Sequence, residues 1–388
     1  MWSVALRRPL ASLKAHSSTA GVQSVRAVSC GAEGVELVSQ GRDNAMKVHR
    51  VRPDGSHETA AMKRRDAVYV DREYSFCKMS QVAASSDGQK MMIAAPHAAD
   101  GRRAVILDAR SGEEVIAVPH APSSSSLTSS STTEAYDAMS GDGTAGQMMG
   151  VQLHSSSSAP AMLLLSCYED GSLHCWDARQ CAVPVCHLKL SDEPLLCADV
   201  ASMSTAADTA IDGSGNCGRT DSNRRSSSAA DGARLRGIAA GAGVGVHAIT
   251  LGGFDTAQNQ GSTSMAPTLR RIGGFHLRQS GAGGVAVRGL DARVAAVGCW
   301  DSSVRLYDLK RQRPLAILRY HTAQVTSVAF APCDHRLVSS SRDGSIAVWD
   351  VFSPGAEQGR QHTGNKTREC GGESGDGDHG CKKKDANR

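Results

Sequence analysis

Aromatic side chains make up only 4% of this 388-residue chain, and no apolar run approaches the roughly 20 residues that a membrane-spanning helix needs. The first shortage reflects polar segments that dilute whatever core the chain builds, and the second leaves no candidate for a helical span. Trp2 to Leu13 has no apolar stretch of the length a secretory signal carries, so the twelve cysteines are expected as reduced thiols in the cytosol or nucleus. The net charge of +4 is small and scattered, and the basic run Lys382-Lys383-Lys384 sits near the C-terminal end as a solvated tail, so direct nucleic-acid binding is not expected. A phosphate-cradling glycine loop followed by Lys-Ser or Lys-Thr is missing, as is a Gly-x-Ser-x-Gly elbow. Gly241 to Gly245 is glycine-rich but joins two expected strands and reads as a turn. No set of residues nominates a catalytic centre, a cofactor or a metal site.

What the chain does contain is a repeat. Trp2 to His16 lies over Tyr307 to His321 without a gap, with identities at Arg8, Pro9, Leu10, Ala11, Leu13 and His16. Asp43, Asp170, Asp301 and Asp343 each stand six residues before His49, Trp176, Tyr307 and Trp349, and in three of the four the next residue is Asp177, Asp308 or Asp350. Around each Asp an apolar run, a polar turn and alternating residues follow, as from Arg336 to Asp350, which is the pattern of a β-hairpin. The combination of His, turn Asp and Trp-Asp resembles the WD40 repeat, in which a His, a Ser or Thr, the Asp and the Trp form a hydrogen-bonded chain within each blade. His321, one of Ser339 to Ser341, Asp343 and Trp349 would be the complete set here. Their recurrence argues for structural roles, since an active site occurs once.

The fold expected is therefore an all-β WD40 propeller over residues 1–353, with six recognisable repeats and a partial unit at the start. The first runs from His16 to Arg50, where His49-Arg50 stands for Trp-Asp, and the second covers Phe76 to His120 with Leu107 in the Trp place. Others span Met148 to Val185, Pro194 to Leu251, Gly284 to Leu318 and His321 to Val351. The segments near 122–146, 202–231 and 252–267, and the tail 354–388, are too polar and Gly/Ser-rich to pack and are expected as disordered inserts and a disordered tail. Trp2 begins inside a repeat. Its stretch either completes the last blade or is the remnant of a seventh, and the second arrangement is preferred because an open ring leaves unpaired strand edges.

His174, Cys175, Cys181, Cys186 and His187 include zinc-ligand types, but two lie on one expected strand and two on the next, in no standard zinc spacing. They read as small buried thiols and core histidines.

Several strings are less generic than the repeat: Leu37 to Asp43, Tyr168 to Ser172, Asp192 to Leu196, and Gly298 to Tyr307 continuing through Arg313 to Leu318. In this order they resemble the family of ASTRA-associated protein one, whose animal members are called guanine nucleotide-binding protein β-subunit-like protein one. That resemblance implies a seven-bladed, non-enzymatic scaffold of the ASTRA assembly. Such a scaffold works with the Tel-Tti co-chaperone in maturing phosphatidylinositol-3-kinase-related kinases and has links to chromatin regulation, in nucleus and cytoplasm. A generic WD-repeat adaptor, such as a ubiquitin-ligase substrate receptor or signalling scaffold, shares everything except those strings. An enzymatic propeller would need convergent acids or histidines at its central channel, where alternation puts small or apolar residues. The turns beside each Asp emerge on one rim, so Arg42, Asn44, Tyr168, Glu169, Trp300 and Arg342 are expected to form the partner-binding face.

Overall fold

Each apolar run that ends in a polar turn becomes a strand, and successive strands pair antiparallel into small sheets that follow one another along the chain. The computed structural model describes residues 2–3, 8–9, 14–16, 21–43, 45–62, 76–84, 90–98, 100–122, 145–156, 159–179, 181–203, 233–254, 267–331 and 336–351. The polar insert interiors and the tail expected after 353 fall outside them. The first blade pairs Val22–Gly31, Gly34–Gly41, Met46–Val51 and His57–Ala61, and the second Ala83–Ala84, Met91–Pro96, Ala104–Asp108 and Glu114–Val118. The third is Met148–Ser156, Ala159–Tyr168, Ser172–Asp177 and Cys186–Lys189. The fourth uses Leu195–Ser202, Ala233–Gly241, Gly245–Phe254 and Thr268–His276, so 252–254 continue a strand rather than open the insert there. The fifth is Ala282–Val287, Val294–Cys299, Ser303–Asp308 and Arg313–Arg319. Val325–Phe330, Arg336–Ser341 and Ile346–Asp350 form the sixth, with three strands among the described residues.

The short hairpin Trp2–Ser3 with Arg8–Pro9 repeats the fifth blade's register: Trp2 faces Pro9 and Ser3 faces Arg8, as Tyr307 faces Pro314 and Asp308 faces Arg313. The duplication seen in sequence is thus a duplication of strand pairing.

Because side chains alternate along a strand, a blade can present one apolar face to the blade before it and another to the blade after it. Among the described residues, five aliphatic clusters join consecutive blades from the first to the sixth. Trp176 is fully buried between the second and third blades with Leu164, Ile106 and Val118. Tyr307 does the equivalent between the fourth and fifth, stacked on Phe275 at a centroid distance of 4.1 Å.

The turn aspartates all do the same job. Oδ1 of Asp43, Asp170, Asp301 and Asp343 accepts the backbone N–H two residues on, from Ala45, Ser172, Ser303 and Ser345, at 2.8–3.1 Å. In the sixth blade the serine of the chain is Ser339. Trp349 Nε1 donates to its Oγ at 2.9 Å, and His321 Nε2 lies 2.7 Å from the same oxygen. His321 Nδ1 donates to Ser345 Oγ at 2.7 Å, and Ser345 donates to Asp343 at 2.6 Å. Those hydroxyl and amide donors hold the Asp343 carboxyl well below the usual carboxylate range. The first blade builds the same chain with His49 in the Trp place: His49 Nε2 to Ser39 Oγ at 2.8 Å, Ser39 to His16 Nε2 at 2.8 Å, and His16 Nδ1 to Asp43 at 3.0 Å. Burial, followed by the neighbouring His16, lowers the pKa of His49 and keeps it neutral. In the third blade Trp176 Nε1 donates to Ser166 Oγ at 2.8 Å.

Replacing Ser339 by Ala orphans the indole N–H and His321 Nε2 together, and each unpaired buried group costs about 1–3 kcal/mol. The expected result is a clear drop in the denaturant midpoint of Ser339→Ala, while Ser340→Ala, on the opposite face of the strand, moves it little; equal shifts would refute this.

Candidate protein-interaction surface

The turns that carry the aspartates connect the second and third strands of their blades, and the residues flanking them project from one rim. Arg42, Glu169 and Arg342 are exposed there. Trp300 is 40% exposed, although a large apolar ring in a turn ordinarily seeks cover. One side of that ring lies against Gly281, whose φ of +102° and lack of Cβ make room: a Cβ there would sit 2.0 Å from the indole. One expected member does not contribute its side chain to this face. Tyr168 is 1% exposed, because it shares the inward parity of Leu164 and Ser166 and packs edge-on against His174, with centroids 5.1 Å apart. Asn44 lies outside the described residues.

One residue missed from sequence belongs with the group. Phe76, just ahead of the second blade, is 73% exposed and lines the same cavity as Trp300 and Gln324, whose carbonyl accepts the Arg342 N–H at 3.0 Å. The following residue, Cys77, anchors this segment to the first blade: its carbonyl accepts Gln23 Nε2 at 3.2 Å and Gln40 Nε2 at 3.1 Å. Two exposed aromatics and an arginine at one opening are the residue types that anchor protein interfaces.

That opening leads into the central channel, a cavity of about 650 Å³ lined by first strands. The channel is not purely small and apolar as alternation suggested, since Arg26, Lys78, Gln152 and Asp199 line it. First strands are the innermost, and there both the neighbouring loops and the opposite side of the ring lie within reach of a long side chain. Arg26 donates to the carbonyls of Ser80 at 3.0 Å and Met79 at 3.2 Å. Lys78 crosses to the carbonyls of Gly283 at 3.0 Å and Thr326 at 2.6 Å, on the fifth and sixth blades. Asp199 accepts Val287 N–H at 2.7 Å and Gln152 Nε2 at 3.3 Å. Among the described lining residues Asp199 is the single acid and there is no histidine, so the paired groups of acid–base catalysis are not assembled.

Of the remaining motif residues, Asp177 and Asp308 accept the N–H groups of Arg179 at 3.0 Å and Lys310 at 2.9 Å and close the next turn of their blades. Asp350 is exposed at the end of its strand, opposite Arg336.

The family described as "WD domain, G-beta repeat" matches residues 312–350, the stretch that holds the His321, Ser339, Asp343 and Trp349 chain. The chain is a WD40-repeat β-propeller. It is 25% identical over 355 residues to mouse (Mus musculus) guanine nucleotide-binding protein subunit beta-like protein 1, covering 91% of this chain and 84% of that protein. A shorter match, 32% over 62 residues, joins it to ASTRA-associated protein 1 of Schizosaccharomyces pombe, with 16% of this chain and 17% of that one covered. The solved WD40 propeller of Doa1 superposes with a TM-score of 0.50 at 12% identity, over 86% of this chain and 80% of that one, which is a likeness of fold.

Burial pushes the Asp199 carboxyl up to about 7 against the partial relief of its hydrogen bonds. The fold thus keeps a proton that the unfolded chain releases near its ordinary value of about 3.9, so this group's contribution falls as pH rises from about 4 to about 7 and is level above that. Asp199→Asn, which keeps an acceptor for Val287, is expected to flatten that part of the stability profile. Denaturation midpoints measured across pH 4–8 for both proteins test this, and identical profiles would exclude it.

Proposed function

We propose that this WD40-repeat propeller is a non-catalytic scaffold of the ASTRA-associated protein and β-subunit-like protein group, and that it acts with the ASTRA assembly and the Tel-Tti co-chaperone in the maturation of phosphatidylinositol-3-kinase-related kinases. The observation that carries this reading is the near end-to-end match to the mouse β-subunit-like protein, which extends through blades with a degenerate signature as well as those with a full one. A repeat match alone concentrates on the intact blades. The chemistry is compatible: the exposed Phe76, Trp300 and Arg342 offer a contact surface, and the channel groups are engaged in holding blades together. The same scaffold role extends to nuclear work on chromatin, with the protein present in nucleus and cytoplasm.

Capture of the tagged full-length protein from its own cells, followed by mass spectrometry, is expected to recover Tel-Tti and ASTRA subunits. Recovery of a cullin ligase adaptor instead would establish the alternative of a substrate receptor. With Trp300 and Arg342 both replaced by Ala, recovery is expected to fall several-fold while the thermal midpoint stays nearly unchanged, and Phe76→Ala should act in the same direction. Undiminished recovery, or a collapse of the midpoint, would remove this face as the binding site.

A further inference from the structure

The third blade places two cysteines directly across from each other. Cys175, in Ser172–Asp177, pairs in register with Cys186, the first residue of the outer strand Cys186–Lys189. Opposite residues of an antiparallel pair have Cβ atoms about 4.5–5.5 Å apart, and a disulfide spans about 3.5–4.5 Å. Closure therefore needs a strand shift of about 1 Å. Both thiols are free. Their environments differ: Cys175 is fully buried in the cluster between the third and fourth blades, and Cys186 is partly exposed at its margin.

We propose that Cys175 and Cys186 form a reversible dithiol–disulfide pair, in which Cys186 is the thiol that peroxide attacks and Cys175 the thiol that resolves the product. The asymmetry follows from proton sharing. The Cys175 thiol donates toward Cys186, which holds Cys186 below the ordinary thiol range; the same contact, and then burial, push Cys175 upward. The thiolate is the reactive form, and accessible thiolates are the ones that oxidise. In the first step the Cys186 sulfur attacks one oxygen of hydrogen peroxide, the O–O bond breaks, and hydroxide leaves, giving the sulfenic acid. In the second, the Cys175 sulfur attacks the Cys186 sulfur, the S–O bond breaks, and the departing hydroxide takes the Cys175 proton as water. Two electrons pass from the dithiol to the peroxide, which ends as two waters. A bridge between neighbouring strands is reducible by a thiol such as glutathione when it is strained or exposed, and this one would sit at an outer strand of four residues.

Cys181 is the competitor. It is buried, and its Sγ donates to the Asp177 carbonyl at 3.2 Å. Cleavage after Arg179 puts Cys167 and Cys175 on one tryptic peptide and both Cys181 and Cys186 on the next, so a bridge appears as a cross-linked pair of peptides whose fragmentation tells Cys175 from Cys167. Full-length protein treated with hydrogen peroxide and then alkylated should yield this pair in the wild type and in Cys181→Ser, lose it in Cys186→Ser, and give it back as free thiols after glutathione. In Cys175→Ser, Cys186 should instead be trapped by dimedone as the sulfenic acid. Absence of the cross-link in folded wild-type protein, its persistence in Cys186→Ser, or a Cys175→Ser variant without a dimedone adduct at Cys186 would each overturn the assignment. Circular dichroism of the variants identifies any that fail to fold, and Cys181→Ser with wild-type protein then decides the matter once fragmentation places the bridge at Cys175; a bridge at Cys167 would overturn it.

Discussion

A serine hydroxyl has one proton, and in this propeller that single proton sets the direction of a hydrogen-bonded chain. Ser345 gives its proton to the Asp343 carboxylate, a group that can only accept, so the Ser345 oxygen accepts from His321 Nδ1. The other nitrogen of His321 is left to accept from Ser339, whose oxygen in turn accepts the Trp349 indole N–H. An indole can only donate, and a carboxylate can only accept. The order of residue types is consequently fixed by proton direction, and the blade's turn, strands and entering loop are tied at one node. The first blade shows what the constraint requires. A histidine replaces the tryptophan, supplies an N–H to Ser39, and leaves its remaining nitrogen as an acceptor for the Thr59 hydroxyl at 3.0 Å. The chemistry that survives substitution is the N–H, and the aromatic area is secondary.

Where the chain is missing, packing takes over. The fifth blade has Val297 in the position equivalent to the serine and Tyr307 in that of the tryptophan, and Tyr307 stacks on Phe275 of the preceding blade. Asp301 then loses its place at the end of a chain and takes Arg305 as partner at 2.8 Å. The turn is preserved because the Ser303 N–H still donates to Asp301. Turn geometry and the polar relay are thus separable, which is why the six-residue spacing persists in blades whose signature has degenerated.

This separation also explains what could be read from the sequence. The spacing from Asp to aromatic reports a local turn, and each of those turns is where it was expected. The outer strand Thr268–His276 left no such mark: it has no signature residue, and it follows a polar insert. Tyr168 was misplaced for a different reason. Its position beside a turn suggested exposure, but alternation from Leu164 and Ser166, the serine that meets Trp176, points it inward, and that parity was legible. Phe76 carried no local signal, because its exposure depends on how the connection between the first two blades runs along the rim. The charged residues of the channel were hidden for the same reason, since the partners of Lys78 lie more than 200 positions away in sequence.

Those long-range partners bear on where a binding surface can be. A buried ammonium loses its hydration and is tolerated only if carbonyls replace it. Burial lowers the pKa of Lys78, and its two carbonyl partners on the fifth and sixth blades compensate for water while linking the far side of the ring to the connection before the second blade. Asp199 similarly joins the third, fourth and fifth blades through Gln152 and Val287. The polar groups of the channel are thereby engaged by the fold itself, and drawing them toward a ligand would leave blade carbonyls and amides unpaired. The rim carries no such obligation: Trp300 rests on a glycine, Phe76 is open to solvent, and the turns beneath them are fixed by their own aspartates. Recognition at the rim therefore adds apolar contact without breaking a structural hydrogen bond, whereas recognition inside the channel would have to break several.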